Sequence, residues 1–535
     1  MDSLKKVNLI TATIEKNQTL KIEIIYELEN EFDNFKIYFE DKNNKKYEGN
    51  CIKANNTTKV LFCVPIQFNI YTLKIEENSI DYNTIFLDNK GEKIINSPNQ
   101  YQIFTNDYII AINPNGKIVI KKRKIGDKFK YEISKLIYSK KMNGKICLLR
   151  LLKHKEKYYL FNDRILYGDD NAEQLFIHIN KKHKKIAKKC YFVIDKNSNR
   201  IHDLKKIGRV LKYGSIKHKI KYLNAKMVIS SHASYYDRVY NPFNEKEMEF
   251  YKDIICKRFV FVQHGVIMND VHSLLQRSHT IADLIVTTTN EEYNNVNTPE
   301  YMYEEKMIVC TGLPRFDKLL DNRKKVILIS PTWRAYLTNV EYTDDKNNSF
   351  LTSEYYTTYA SLLQNKELLN SIKEKGYVIK FLLHPAFQEY KDYFFSLSND
   401  NVKIIFTQDI KYSDLFNECS LFITDYSSIH FDVAFLEKPI IYYQFDREKF
   451  FESHYTKGYY DYERDGFGQV IENEKELIEK IEYYLKNSCE IEMKYKKKIE
   501  ETFRYLNREN SERVYKEILK LEEKPEKVYR FNNIS

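Results

Sequence analysis

The chain has 535 residues, 43% of them hydrophobic and 30% charged, with a formal net charge of +11. That apolar share fills sizeable cores and excludes a disordered tail, and the lack of any run near about 18 apolar residues excludes a membrane-spanning helix. None of the eight cysteines lies in a Cys-x-x-Cys pair, which argues against the usual zinc and dithiol motifs and suits buried thiols in a reducing compartment.

At roughly 100–200 residues per domain, the length predicts about three domains. The basic balance admits nucleic acid, an anionic membrane surface or a polyanionic substrate as partner. The opening Met1-Asp2-Ser3-Leu4-Lys5-Lys6 leads into no apolar run of signal-peptide length. The expectation is a cytoplasmic protein, with any membrane contact peripheral and on the inner face of the cell membrane.

Residues 6–121 predict β structure. Lys21-Ile22-Glu23-Ile24-Ile25-Tyr26 and Asn34-Phe35-Lys36-Ile37-Tyr38-Phe39 alternate, and shorter runs follow at 60–64, 71–75 and 118–120. Such strands between Asn-, Asp- and Gly-containing turns point to a small β-sandwich over 1–122, with no catalytic cluster in it. Residues 121–157 are strongly basic, from Lys121, Lys122, Arg123 and Lys124 through Lys140, Lys141 and Lys145 to Lys153, Lys155 and Lys157. They read either as a linker with a solvated helix face or as a surface that docks to an anionic membrane or polymer.

From about 157 apolar strands alternate with polar helical segments, at 191–194, 227–230, 259–263, 284–287 and 307–310. After the charged hinge Asp321-Asn322-Arg323-Lys324-Lys325 a second set starts at Val326-Ile327-Leu328-Ile329 and continues at 378–383, 402–406, 421–424 and 440–443. This alternation implies parallel sheets. The predicted fold class is α/β: a pair of Rossmann-like domains, 123–320 and 321–535, facing each other across a cleft and preceded by the small all-β domain. Residues 474–521 read as mostly helical.

Strand ends are where ligands collect in this architecture. The apolar run Leu421-Phe422-Ile423-Thr424 leads into Asp425-Tyr426-Ser427-Ser428 and then a predicted helix over 429–436. Free amides, a helix dipole and two adjacent hydroxyls suit phosphate oxygens there. Leu382-Leu383-His384-Pro385 puts a histidine at another strand end, and Ser330-Pro331-Thr332-Trp333-Arg334 puts an arginine and the only tryptophan at a third. Arg334 and His384 are expected to neutralise a diphosphate, and Trp333 either stacks on a ligand or plugs a core gap. In the other half Val262-Gln263-His264-Gly265 ends a strand. His264 is the candidate to take a proton from an attacking hydroxyl, and Gly265 marks a tight backbone approach. The acidic pairs Asp169-Asp170 and Asp344-Asp345 lack a metal-site context, so no metal and no cofactor is expected.

Taken together these segments resemble the CDP-glycerol glycerophosphotransferase family, the polymerases and primases of teichoic acid and related capsule synthesis. The resemblance runs from about 158 to 485. Its pieces are Asp169-Asp170-Asn171-Ala172, Gly214-Ser215-Ile216-Lys217-His218, Ile229-Ser230-Ser231-His232, Gln263-His264-Gly265, Gly312-Leu313-Pro314-Arg315-Phe316-Asp317, Pro331-Thr332-Trp333-Arg334, His384-Pro385, Thr424-Asp425-Tyr426-Ser427-Ser428 with Phe431-Asp432, Lys438-Pro439, and an aromatic-acidic loop at 459–468. Their order and spacing, more than any single piece, carry the likeness.

The resemblance implies a GT-B type fold, a CDP-activated polyol as donor, release of CMP, and His264 and His384 as the two essential histidines. It implies a lipid-linked anionic polymer as acceptor, an anionic membrane surface as a further partner, and no nucleic acid. The all-β N-terminal segment looks more like the ribitol-phosphate polymerases, and Gln263 stands where the family often has an aromatic residue, a difference on the acceptor side. His264 is then expected as general base. Arg334, Thr332, Asp425, Ser427, Ser428 and Asp432 are expected to hold the donor's phosphates and nucleotide, with Gly265, Arg315 and Trp333 as acceptor-side or secondary contacts. The competing readings are a GT-B glycosyltransferase using a nucleotide sugar and a basic nucleic-acid-binding protein, although neither an RRM signature nor a zinc finger is visible.

Overall fold

The computed structural model describes residues 4–530 apart from 15–18, 29–34, 55–56, 67–68, 78–79, 84–101, 105–107, 113–116, 139–148, 154–156, 234–240, 252–253, 256, 339–345, 407–409, 455 and 525–526. Asp344-Asp345 and the basic residues Lys140, Lys141, Lys145 and Lys155 lie outside the described residues.

Alternating side chains from two antiparallel sheets build the N-terminal sandwich. One sheet runs Lys527–Arg530, Leu4–Ile14, Thr19–Leu28, Thr57–Pro65, Asn50–Ala54. The other runs Lys46–Glu48, Phe35–Asp41, Asn69–Glu77, Lys117–Lys122, Tyr108–Ile112, Gln102–Phe104, with Ile80–Asn83 paired to Asn69–Glu77. Leu20, Ile22, Ile24, Phe62 and Val64 of the first meet Phe39, Leu73, Ile110 and Ile118 of the second in one core. Phe39 packs edge-on against Phe62 across the sheets, with ring centroids 5.0 Å apart.

The sandwich is anchored by buried charge. Arg277 of the first α/β domain places Nε and NH2 2.8 Å from the two Glu23 oxygens, with side chains only 0% and 3% exposed. Lys59 donates to the Met302 carbonyl, and Ile281 and Met302 complete the sandwich core.

Both parallel sheets put their first strand in the interior, which makes them doubly wound. The first has the order Arg209–Lys212, Cys190–Ile194, Tyr158–Asn162, Ala225–Ser230, Arg258–Phe261, Leu284–Thr287, Ile308–Cys310. The second has the order Val402–Phe406, Val378–Leu383, Val326–Ile329, Leu421–Thr424, Ile440–Tyr443, Gly468–Ile471. Central strands such as Val326–Ile329 and Ile440–Tyr443 are uninterrupted apolar runs because both faces are covered, whereas Val378–Leu383 and Val402–Phe406 each carry a lysine. Val326 and Leu328 face one core and Ile327 and Ile329 the other.

The C-terminal segment differs from its expected placement in the second α/β domain. Helix Asn510–Glu523 packs on helix Asn171–Lys182 and the turn Pro314–Lys318 of the first. Asp317 caps it, accepting from the Asn510 amide at 2.9 Å and the Ser511 amide at 2.7 Å. The chain then crosses to the sandwich, where Lys527–Arg530 pairs antiparallel with Leu4–Ile14. A long-range return of this kind leaves no periodic signal in the local sequence.

Candidate active site

On the second domain's wall, Leu421–Thr424 ends in Asp425, which turns inward. Its carboxylate accepts from the Thr332 amide at 2.8 Å, the Tyr426 amide at 2.6 Å and Arg334 NH1 at 2.8 Å. Arg334 also donates through Nε and NH2 to Asp446, at 2.6 and 3.0 Å, and through NH1 to the Thr332 carbonyl at 2.7 Å. The Arg334, Asp425 and Asp446 side chains have no exposed surface. This corrects the expected phosphate role of Arg334 and Asp425: their polar atoms are consumed in tying three strand-end loops together. Thr332 is held in the same network by its backbone, and its buried hydroxyl has no protein partner.

The helix after this loop is short, His430–Phe435, and begins at Ile429, which is already in right-handed helical conformation. Its first bonds run from the His430 amide to the Ser427 carbonyl and from the Phe431 amide to the Ser428 carbonyl. The capacity of this loop for phosphate therefore rests on the half-buried Ser427 and Ser428 and on what faces them, rather than on the dipole of a long helix.

What faces them is the His264 loop of the first domain. A methyl group added at Gly265 would sit 2.5 Å from Ser428 Oγ, so the glycine permits the two loops to meet. His264 opens to solvent in the cleft yet is crowded by protein on most sides. That enclosure lowers its pKa; Asp170 pulls the other way, and Arg164 and Arg315 add to the lowering. Its Nδ1 lies 3.2 Å from the Ser231 carbonyl. A carbonyl only accepts, so Nδ1 carries the proton and Nε2 keeps a lone pair. His232 stacks beneath it, 4.8 Å between ring centroids at 13°.

His384 has the opposite tautomer. Its Nδ1 accepts from the Ala386 amide at 3.2 Å, which leaves Nε2 as the protonated nitrogen. Burial lowers its pKa to about 4, with help from Arg164 and His454. Trp333 lies alongside, 6.2 Å between centroids at 22°, and packs edge-on against His454 at 4.4 Å. Trp333 therefore walls the His384 ring and also joins the neighbouring core.

Asp432 and Arg315, expected as substrate contacts, close an ion pair between the two domains. Arg315 Nε and NH2 donate to the two Asp432 oxygens at 2.7 Å each, with side chains 11% and 3% exposed. Arg315 NH1 also donates to Asp170 and to the His264 carbonyl. The pair thus sets both the domain approach and the His264 backbone. Asp169 pairs with Lys318 at 2.8 Å, so each member of that acidic pair already has a cation.

Arg164, two residues past strand Tyr158–Asn162, was not singled out by sequence. It is exposed, donates through Nε to His232 Nε2 at 3.3 Å, and acts electrostatically on both His264 and His384. No acidic partner accompanies it among the described residues. A lone arginine after Asn162-Asp163 carries no motif, so only the fold reveals it. Gln263, read as an acceptor-side difference, is instead a buried brace. It holds left-handed backbone (φ 61), and its amide donates to the Val286 carbonyl and to Glu292.

Two Rossmann-like domains with a histidine on each wall of their cleft define a GT-B type architecture. Residues 147–520 match the family described as CDP-Glycerol:Poly(glycerophosphate) glycerophosphotransferase, and the chain belongs to that family. Its relatives include GgaB of Bacillus subtilis, described as a minor teichoic acid biosynthesis protein, 34% identical over 437 residues that cover 78% of this chain and 47% of GgaB. A teichoic acid poly(glycerol phosphate) polymerase of Bacillus spizizenii is 29% identical over 168 residues, covering 30% of this chain and 36% of the polymerase. The chain thus spans about half, or less, of the length of these curated relatives. Among solved structures, a variant of the wall teichoic acid polymerase TagF superposes with a TM-score of 0.52 at 16% identity, covering 74% of this chain and 97% of that one. That likeness is one of fold.

Proposed function

We propose that the chain transfers glycerol phosphate from CDP-glycerol to the terminal hydroxyl of a teichoic-acid-like polymer, releasing CMP. The observation that carries this reading is the pair of histidines with opposite tautomers on one cleft, His264 with a free Nε2 lone pair and His384 with an Nε2 proton. The acceptor oxygen attacks the β-phosphorus, its proton passes to His264 Nε2, the bond from that phosphorus to the bridging oxygen breaks, and CMP leaves. His384, Arg164, Ser427 and Ser428 hold the phosphates and the charge that builds on them. Positioning and charge stabilisation are what phosphoryl transfer chiefly requires. Glycerol is preferred to ribitol on the family description.

The basic helix Asp127–Tyr138 supports a membrane-attached acceptor. Ile125, Phe129 and Ile133 are exposed beside exposed Lys121, Lys122, Lys124, Lys128 and Lys130. Apolar side chains among lysines suit peripheral contact with an anionic bilayer. No helix of the described residues is long and apolar enough to cross a membrane.

The test offers CDP-glycerol, CDP-ribitol and a UDP-sugar with a lipid-linked acceptor, and follows nucleotide release and product mass. CMP together with a glycerol-phosphate mass increment supports the proposal. A ribitol-phosphate increment replaces the donor, and UDP release with a hexose increment overturns the reaction class.

A further inference from the structure

We propose that His178, His183 and Glu512 form a binding site for a divalent transition-metal ion of the zinc type, which staples the returning C-terminal helix to the first α/β domain. The site lies away from the cleft and does not depend on the transferase reading.

Two imidazole nitrogens converge on one carboxylate oxygen. His178 Nε2 and His183 Nε2 each lie 2.8 Å from Glu512 Oε2, and one ligand atom from each residue lies within 4.8 Å of the others. Among the described residues no other group of three His, Cys, Asp or Glu side chains converges in this way. The residues are 19%, 25% and 30% exposed, so an ion and a fourth, water ligand have access.

The backbone on both sides is pinned. His178 lies on helix Asn171–Lys182, and His183 ends that helix, donating its amide to the Ile179 carbonyl. Glu512 is in the first turn of helix Asn510–Glu523, whose start is capped by Asp317. Tyr515, one turn further on, lies against the His183 ring with centroids 3.9 Å apart. Zinc bonds of about 2.0–2.2 Å in a tetrahedral arrangement place ligand atoms about 3.4 Å apart. Small rotations of side chains at this partly open site reach that spacing from 2.8 Å. Two imidazoles and one carboxylate favour zinc, copper or nickel over magnesium or calcium.

The ordinary alternative is a carboxylate accepting two imidazole N–H bonds, and the experiment separates them. Chelator-treated full-length protein is titrated with Zn²⁺ by calorimetry, alongside the double variant His178→Gln/His183→Gln and the cleft variant His264→Gln. The expected result is one equivalent bound by the wild type and by His264→Gln, at least tenfold weaker binding by the double variant, and a Zn²⁺-dependent rise in thermal midpoint confined to the proteins that bind. No saturable binding by the wild type, or equal binding by the double variant, overturns the proposal. Should the double variant fail to fold, Co²⁺ added to the wild type decides. Intense tetrahedral visible bands with two shifted imidazole N–H resonances support the site, and their absence overturns it.

Discussion

Replacing Asp432 with Asn removes the charge of the pair that joins the two α/β domains while keeping its shape. Arg315 then loses the charge behind its two 2.7 Å hydrogen bonds to Asp432 and keeps Asp170 at 3.0 Å and the His264 carbonyl. Breaking a buried ion pair by removing one partner costs about 3–5 kcal/mol, because the remaining charge stays buried. Asp170 offsets part of that loss, leaving about 2–3 kcal/mol given the usual worth of a charged hydrogen bond. The same loss loosens the backbone of His264, and a displacement near 1 Å costs about 10²-fold in rate. Guanidinium unfolding and steady-state CMP release read the two effects separately. The expected result is a lowered unfolding midpoint together with a fall in kcat. The double variant Arg315→Met/Asp432→Leu strands neither member of the Arg315–Asp432 pair, although it takes the cation from the partly exposed Asp170, so it recovers most of the midpoint but not the turnover. A single variant with wild-type midpoint and turnover refutes the reasoning, and a double variant as unstable as the single refutes the role given to the stranded arginine.

Three further outcomes follow from the same geometry. Arg164→Ala, at an exposed position, keeps the fold and lowers kcat/KM by about 10²-fold, with partial recovery in Arg164→Lys; wild-type turnover in the alanine variant removes Arg164 from the site. Arg334→Met strands Asp425 and Asp446 in the interior at about 3–5 kcal/mol and lowers soluble yield, whereas a stable variant with only a raised donor KM returns Arg334 to the phosphates. His384 is held neutral down to about 4 against an ordinary 6.5, so between those values the unfolded chain binds a proton that the fold does not. Stability from this group therefore falls as pH drops from about 6.5 toward 4, and His384→Gln gains stability relative to wild type over that window; an unchanged difference in urea midpoints contradicts it.

The architecture was legible because buried parallel strands are written as uninterrupted apolar runs, as in Val326–Ile329 and Leu421–Thr424. The meeting of His264-Gly265 with Ser427-Ser428 was legible in part, since strand ends of both domains point into one cleft. The charges were not. A strand-end Arg334 reads the same whether its guanidinium meets a phosphate or fills a buried carboxylate cage. Asp432 likewise looks like a ligand contact until its partner, Arg315, arrives from the other domain. Gln263 looked like an acceptor-side feature because its neighbour is His264, but left-handed backbone turns its amide into the core. Arg164 had no pattern around it, and the return of Asn510–Glu523 to the first domain and of Lys527–Arg530 to the sandwich depends on pairing across the length of the chain.

The central claim is that His264 removes the acceptor's proton while His384 steadies the donor's phosphates. The most direct test is single-turnover CMP release from CDP-glycerol with His264→Gln and His384→Gln, each checked for an unchanged circular dichroism spectrum. The account predicts that each loses about 10²–10⁴-fold in rate, with the loss in His264→Gln persisting at saturating donor. Wild-type single-turnover rates in either folded variant would contradict it.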